Sequence, residues 1–139
     1  MFEQADPDYV RIVNQYLESQ QFILTHENSM DCSLWRSEES EDQDVNLLGD
    51  GKILFIENYK KGKYQEIERS HGMSGEEISS AVEAMVVPLA DPSSYETFTI
   101  EELDRISVEP GGGIVISYTV LCLVDQDTHL YILVKDTDQ

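Results

Sequence analysis

The sequence predicts a single α+β domain with a mainly antiparallel β-sheet, an N-terminal helix and one or two further helices packed on one face of the sheet. The length of 139 residues suits one domain. Leu, Ile, Val and Phe supply 38 of these residues, which is enough for a strongly charged chain to fold. Helical spacing of apolar residues near the N-terminus gives way to the alternating and continuous apolar runs typical of strands.

The first predicted element is a helix over residues 6–20. Asp6 suits the N-cap, and Pro7 suits the first helical position, where its missing N–H costs no hydrogen bond. A short strand is expected to follow over 22–25. The apolar residues that recur at helical spacing are Val10, Val13 and Leu17.

The segment 28–51 shows neither helical nor strand periodicity. The stretch from Glu38 to Asp50 contains six acidic residues and no basic residue. Because closely spaced like charges repel one another, we expect a mobile acidic loop over 36–51. A loop of this length inside a compact domain is typically functional or disordered.

Alternating apolar residues around a Gly-containing turn predict a β-hairpin over 52–69. A second helix is predicted from Ser74, because Ser74 and Glu77 have the spacing of a capping box. Pro88 would end this helix. Its apolar face would consist of Ile78, Ala81, Val82 and Met85.

The C-terminal third is predicted to consist mainly of strands. Residues 98–108 fit either a strand or a short helix, and both assignments stay open. Three glycines over 111–113 precede a continuous apolar run over 114–124, which indicates a central strand covered on both faces. Turn-forming residues then lead to a last strand over 129–135, which completes a hairpin.

The charge of the chain bounds its partners. The net charge is −19, from 9 basic and 28 acidic residues. Such a surface repels nucleic-acid phosphates and anionic membranes, and it attracts basic proteins. We therefore expect no direct nucleic-acid binding and no membrane binding. Two cysteines, no signal-peptide pattern and no apolar run long enough to cross a bilayer indicate a cytoplasmic protein.

Two segments are similar to metal sites, but neither is complete. Residues 42–46 match the start of an EF-hand loop, yet Leu47 and Ile53 stand where that loop requires Gly and Glu. The Asp-x-Asp-x-His pattern over 125–129 fits turn chemistry better, since the sequence indicates no further ligand. We predict no metal and no cofactor.

No arrangement of residues specifies a catalytic reaction. The three histidines lie in no recognisable nucleophile–base pattern, and Cys32 could meet one of them only through the fold. Acidic residues are so numerous that a pair of carboxylates carries no information about acid–base catalysis. We predict no catalytic residue and favour a binding protein over an enzyme.

The pattern that best fits a functional site is a Trp-Arg pair followed directly by the acidic run. Trp and Arg are enriched among interface hot spots, and an acidic rim accelerates encounter with a basic partner. In the structural alternative, the tryptophan packs beneath its own loop. The predicted partner-binding residues are Trp35, Arg36, Glu38, Glu39, Glu41, Asp42 and Asp44.

These observations lead to three hypotheses about function. The first is a small acidic cytoplasmic binding protein, most concretely an inhibitor or immunity-type protein that neutralises a basic toxin, nuclease or nucleic-acid-binding protein. The second is a pocket that binds a small ligand or catalyses a reaction, because the order of elements is similar to that of NTF2-like domains. The third is a structural or regulatory subunit that assembles through a sheet edge. The oligomeric state stays open.

Overall fold

The computed structural model of the chain describes residues 7–37 and 45–136. Its content is that of an α+β fold dominated by antiparallel strands, as the sequence predicts. The helices are α1 (Pro7–Thr25), α2 (Gln65–Ser70) and α3 (Gly75–Ser80). The strands are β1 (Met30–Ser37), β2 (Val45–Asn58), β3 (Ala81–Pro88), β4 (Arg105–Gly111), β5 (Ile114–Asp125) and β6 (Leu130–Lys135).

The six strands form one antiparallel sheet that closes into a barrel. The strand order is β1-β2-β3-β6-β5-β4, and β4 pairs with β1 to complete the ring. The closing register places Cys32 opposite Val108 and Leu34 opposite Ile106. Closure removes the two free edges that an open sheet would expose.

Inward-pointing side chains fill the barrel. Successive strand residues point to opposite faces of a sheet, so every second residue enters the interior. These residues form one apolar cluster, to which Ile100 from the segment before β4 also belongs. Its fully buried members include Leu34, Ile53, Ala84, Val86, Ile106 and Leu133.

Helix α1 lies on the outside of the barrel against β2 and β3. Ile23 is the one residue of α1 that is buried. Two helical turns before Ile23, the Tyr16 ring contacts the ring of His129, with the two centroids 4.3 Å apart. The second half of α1 therefore anchors the helix.

Helices α2 and α3 cover a second part of the outer surface. Their apolar side chains pack on a smaller cluster around Cys122 and Ile132. Beside this cluster, the buried carboxylate of Glu83 accepts hydrogen bonds from Lys63 Nζ at 2.7 Å and from the Tyr64 hydroxyl at 3.1 Å. These bonds stabilise the segment between β2 and α2 on the barrel wall.

The structure corrects the predicted elements before residue 70. Helix α1 continues to Thr25, so the strand predicted over 22–25 is wrong. The loop predicted over 36–51 is corrected at both ends, because residues 36–37 belong to β1 and residues 45–51 belong to β2. Residues 38–44 lie outside the described part of the chain. In the hairpin predicted over 52–69, the first strand is confirmed as part of β2. The segment predicted as the second strand forms helix α2 instead.

The remaining predictions are confirmed in part. The capping box at Ser74 is present, but its helix ends at Ser80, where β-branched residues continue the chain as β3. Within 98–108 the residues from Arg105 onward form a strand, β4. The β5–β6 hairpin is confirmed. The prediction that the continuous apolar run is covered on both faces is wrong, because Ile114 and Val115 are 61% and 51% exposed.

Gly51 is a position on β2 where the neighbouring strands β1 and β3 leave no room for a side chain. A Cβ there would lie 2.8 Å from Leu34 Cδ1 and 2.8 Å from the carbonyl oxygen of Val87. We predict that Gly51→Ala lowers the free energy of unfolding by about 1–3 kcal/mol, as overpacking a core does. Urea denaturation followed by far-UV circular dichroism measures this change.

The matched control is Gly75→Ala in the first turn of α3. An added Cβ at Gly75 has nothing within 4 Å, and Ala is the better helix former. We expect this variant to be neutral or slightly stabilised. Equal stability of the two variants would contradict the tight packing at Gly51.

Candidate functional site

A third part of the outer surface lies on β1, β4 and the first half of β5. Because Leu34, Ile106 and Ile116 pack into the core, their neighbours along each strand point outward. All of these outward side chains are exposed or half-buried. We call this surface the Trp35 face; it consists of Ser33, Trp35, Arg105, Ser107, Val115 and Ser117.

Trp35 lies at the centre of this face and is half-buried. Its indole Nε1–H donates a hydrogen bond to the Ser107 hydroxyl at 3.0 Å. Its partners across the two strand ladders are Leu47 on β2 and Arg105 on β4. Leu47 is 56% exposed, so apolar surface continues beside the indole. The ladder and the hydrogen bond fix Trp35 against the barrel wall.

A groove of about 610 Å³ runs beside Trp35. Three carboxylates line it, those of Asp31, Asp50 and Glu109, and none of its described lining residues is basic. From outside the lining, the ammonium group of Lys52 forms an ion pair with Asp31. The groove thus places an aromatic side chain next to an excess of negative charge.

The groove does not offer a reactive thiol. Cys32 contributes to its lining but is only 4% exposed. Burial, reinforced by the charges of Asp31 and Asp50, raises the pKa of Cys32 to about 12. Because the thiolate is the nucleophilic form, this cysteine is unreactive at neutral pH. Burial also raises the pKa of the second free cysteine, Cys122, to about 11.

Arg36 points away from Trp35 and binds within the chain. Its Nε and Nη2 donate to the two carboxylate oxygens of Asp104, each at 2.9 Å, and Nη2 also donates to the Thr99 carbonyl at 2.9 Å. The Asp104 side chain is 2% exposed and accepts a further bond from the Glu101 N–H at 2.8 Å. Hydrogen bonding to Asp104 raises the pKa of Arg36, which therefore stays charged. The pair fastens the segment before β4 to the end of β1.

The five acidic residues predicted to bind a partner lie outside the described part of the chain. Ser37 and Val45, which flank their segment, are paired across the β1–β2 ladder. Ser37 is two residues beyond Trp35 on the same strand. The residues in question are Glu38, Glu39, Glu41, Asp42 and Asp44.

Sequence reasoning missed the partners that surround Trp35. Ser107 and Val115 come from distant strands and join Trp35 only because the barrel closes. Asp31 lies near Trp35 in the chain, but within the segment 28–51 that is predicted to be irregular. The alternation of Met30, Cys32 and Leu34 with polar residues was the signal that predicts β1 and places Asp31 on its outer side.

The other candidate chemistries gain no support from the described residues. No group of three or more His, Cys, Asp or Glu side chains there could hold a metal ion. In the Asp-x-Asp-x-His segment, the Asp125 carboxylate accepts the Asp127 N–H at 3.0 Å, which is a turn contact. His129 of that segment is buried beneath α1, where burial lowers its pKa. The EF-hand-like pattern begins at Asp42, outside the described ranges.

Comparison with protein families, with characterised proteins and with solved structures finds no match for this chain. Over residues 7–37 and 45–136, no helix is long and apolar enough to cross a membrane.

The Arg36–Asp104 pair is predicted to stabilise the fold that carries the site. Arg36→Ala leaves a buried carboxylate without its charged partner, so we expect a loss of about 2–3 kcal/mol in the free energy of unfolding. The matched control is Arg105→Ala, an exposed arginine on β4, for which a change within about 0.5 kcal/mol is expected. Urea denaturation of the two variants makes the comparison. Similar losses in both would show that the pair contributes no special stability.

Proposed function

We propose that the chain is a small acidic binding protein that docks a basic protein partner on the Trp35 face, and that it acts as an inhibitor or immunity-type protein. The observation that carries the proposal is the groove beside Trp35, with three carboxylates and no basic residue among its described lining. The partner class is a toxin, nuclease or nucleic-acid-binding protein, since such proteins present basic surfaces to phosphates. Blocking that surface would neutralise the partner.

Charge supplies the long-range part of the proposed recognition. A net charge of −19 attracts a basic protein from any direction, and carboxylates next to Trp35 bias the encounter toward this face. Five further acidic residues lie between Ser37 and Val45 in the sequence, in the connection between β1 and β2. Steering of this kind raises the association rate more than it raises the affinity.

The indole supplies the short-range part. Trp35 is held by Ser107 and the two strand ladders. Its side chain therefore loses little conformational entropy when a partner covers it. An arginine or lysine of the partner can place its charge over the indole ring while it pairs with Asp50 or Glu109 of the groove. In this proposal Arg36 is a positioning residue. It points away from Trp35 and holds the end of β1 in place.

The two alternative hypotheses have less support. An NTF2-like pocket requires a cavity for a small ligand, whereas the barrel interior is occupied by the side chains of the apolar core. Assembly through a sheet edge requires an unpaired strand, whereas the ring of six strands pairs β1 with β4. Both observations favour recognition on the outer surface.

The first test of the proposal is whether truncation of Trp35 weakens the binding of a basic partner. The protein is used as bait in native lysate, and the bound protein is identified by mass spectrometry and purified for calorimetry. We predict that Trp35→Ala weakens binding by about tenfold to a hundredfold, as loss of an aromatic hot spot does. Tyr95→Ala is the matched control, because this aromatic side chain is 83% exposed and outside the Trp35 face.

A second variant keeps this test decisive if Trp35→Ala is unstable. Val115→Lys adds a positive charge at an exposed position of the groove and leaves the indole in place. We expect it to weaken the same complex. Unchanged affinity in Val115→Lys, or equal losses in Trp35→Ala and Tyr95→Ala, would remove the Trp35 face from the interaction.

The acidic segment is predicted to control the rate of association. Converting Glu38, Glu39, Glu41, Asp42 and Asp44 to Gln or Asn should slow association about tenfold at low salt and flatten its dependence on ionic strength. The dissociation rate should change little. Stopped-flow mixing with the purified partner between about 50 and about 500 mM salt measures both rates. Unchanged association kinetics would contradict steering by this segment.

A further inference from the structure

We infer that a pocket at the start of β2 binds an alkylammonium group, the chemistry shared by a lysine side chain and a free aliphatic amine. The pocket has a volume of about 510 Å³ and lies between the first residues of β2 and the segment over 89–98. The inference does not rest on the function proposed for the Trp35 face. We call it the Phe98 pocket; its apolar lining residues are Leu47, Leu48, Leu89, Ala90, Pro92 and Phe98.

A bulge and a glycine in β2 shape the floor of the Phe98 pocket. The ladder between β1 and β2 skips Leu48, which is the extra residue of a β-bulge, and bulges beside functional sites commonly redirect side chains. A Cβ on the neighbouring Gly49 would lie 2.7 Å from Phe98 Cε1. The absent side chain therefore lets the Phe98 ring lie directly on β2. Leu48 and Phe98 also pack against the apolar core, so the floor is rigid.

Backbone hydrogen bonds fix the wall that faces β2. The Leu89 N–H donates to the Asp50 carbonyl at 2.9 Å, which joins the segment over 89–98 to the strand. Within the segment, the Asp91 N–H donates to the Glu96 carbonyl and the Tyr95 N–H donates to the Asp91 carbonyl, each at 2.8 Å. Both walls are thus held before a ligand arrives, which lowers the entropic cost of binding.

The charges around the pocket select a cation. Asp50, Asp91 and Glu96 are exposed and line it, and none of its described lining residues is basic. The Asp91 carboxylate accepts hydrogen bonds from the Ser93 hydroxyl and from the N–H groups of Ser93 and Ser94. These bonds lower its pKa, so it stays ionised at neutral pH. The carboxylates of Asp50 and Glu96 form no hydrogen bond or ion pair with another described residue, so they are available to a ligand.

An apolar floor with an anionic rim matches a ligand that is apolar along its length and cationic at one end. An aliphatic chain packs on Leu48 and Phe98 while its ammonium group stays at the rim beside Asp91 or Glu96, as long cationic side chains do on apolar surfaces. An aliphatic alcohol lacks the charge, and an aliphatic carboxylate is repelled. A metal ion is a poorer match, because the described residues contain no group of three side chains that could hold one.

The test titrates the full chain with n-hexylammonium chloride and follows nitrogen–proton correlation NMR spectra. We predict saturable shifts of the backbone amides over 47–50, 89–91 and 96–98, with a Kd of about 1–10 mM, as expected for so small a ligand. Ethylammonium carries the same charge on a shorter chain and should bind at least about fivefold more weakly. Hexanoate should produce no shifts there. Equal binding of n-hexanol and hexylammonium, or of ethylammonium and hexylammonium, overturns the inference.

Two variants locate the probe. Glu96→Gln removes a rim charge and should weaken hexylammonium binding at least about threefold. Its matched control, Glu76→Gln, removes the same charge from an exposed position of α3 and should change binding less than about 1.5-fold. Ala90→Phe fills the pocket from an exposed position and should abolish the shifts. Far-UV circular dichroism establishes that the variants remain folded. Equal weakening by Glu96→Gln and Glu76→Gln would show that net charge alone attracts the probe, which contradicts the inference.

A second probe distinguishes the two sources of an alkylammonium group. Nα-acetyl-lysine methylamide carries the group on a peptide backbone, whereas hexylammonium carries it alone. Binding of the lysine derivative as tightly as hexylammonium supports the inference and assigns the pocket to a lysine side chain of another protein. Binding of hexylammonium alone supports it and assigns the pocket to a small aliphatic amine. No shifts with either probe overturn the inference and leave the Trp35 face to its own test by Trp35→Ala.

Discussion

Closure of six antiparallel strands into a narrow barrel is the constraint on which the rest of the structure depends. The interior holds only one layer of side chains from each strand, so volume is limited at every inward position. Gly51 shows the limit most clearly, since Leu34 and the backbone of β3 occupy the space of its absent Cβ. The helices lie on the outer surface, while the segment before β4 contributes Ile100 to the interior. Two regions of that surface are packed under helices, and the third is the Trp35 face.

Surface charge then determines how a partner is recognised at the Trp35 face. The groove beside Trp35 is lined by Asp31, Asp50 and Glu109, so recognition there is expected to be steered by charge and weakened by salt. The same net charge of −19 attracts basic partners and opposes the approach of a second copy of the chain.

The elements fixed by local interactions were predictable from the sequence, and those fixed by closure were not. Capping residues and turn residues act over a few positions, which is why the capping box at Ser74 and the β5–β6 hairpin were found. Strand β1 pairs with β4 roughly seventy residues away, as in the Trp35–Ser107 hydrogen bond, and no local pattern contains that information. The second half of the predicted second helix is strand β3 instead. Its β-branched residues Val82, Val86 and Val87 favour a strand where neighbouring strands are available for pairing. The candidate site follows the same rule: Trp35 was recognisable alone, but its groove exists only in the closed barrel.

The central claim is that Trp35 is solvent-accessible beside a groove lined by carboxylates, and its fluorescence tests this directly because the chain contains one tryptophan. Collisional quenching by caesium and by iodide compares the access of a cation and an anion to the same indole. The account predicts that caesium quenches more efficiently than iodide at low ionic strength and that the difference shrinks as inert salt is added. Negligible quenching by both ions would show that the indole is covered. Stronger quenching by iodide would show that the groove carboxylates do not dominate the potential at the indole, and either result would contradict the account.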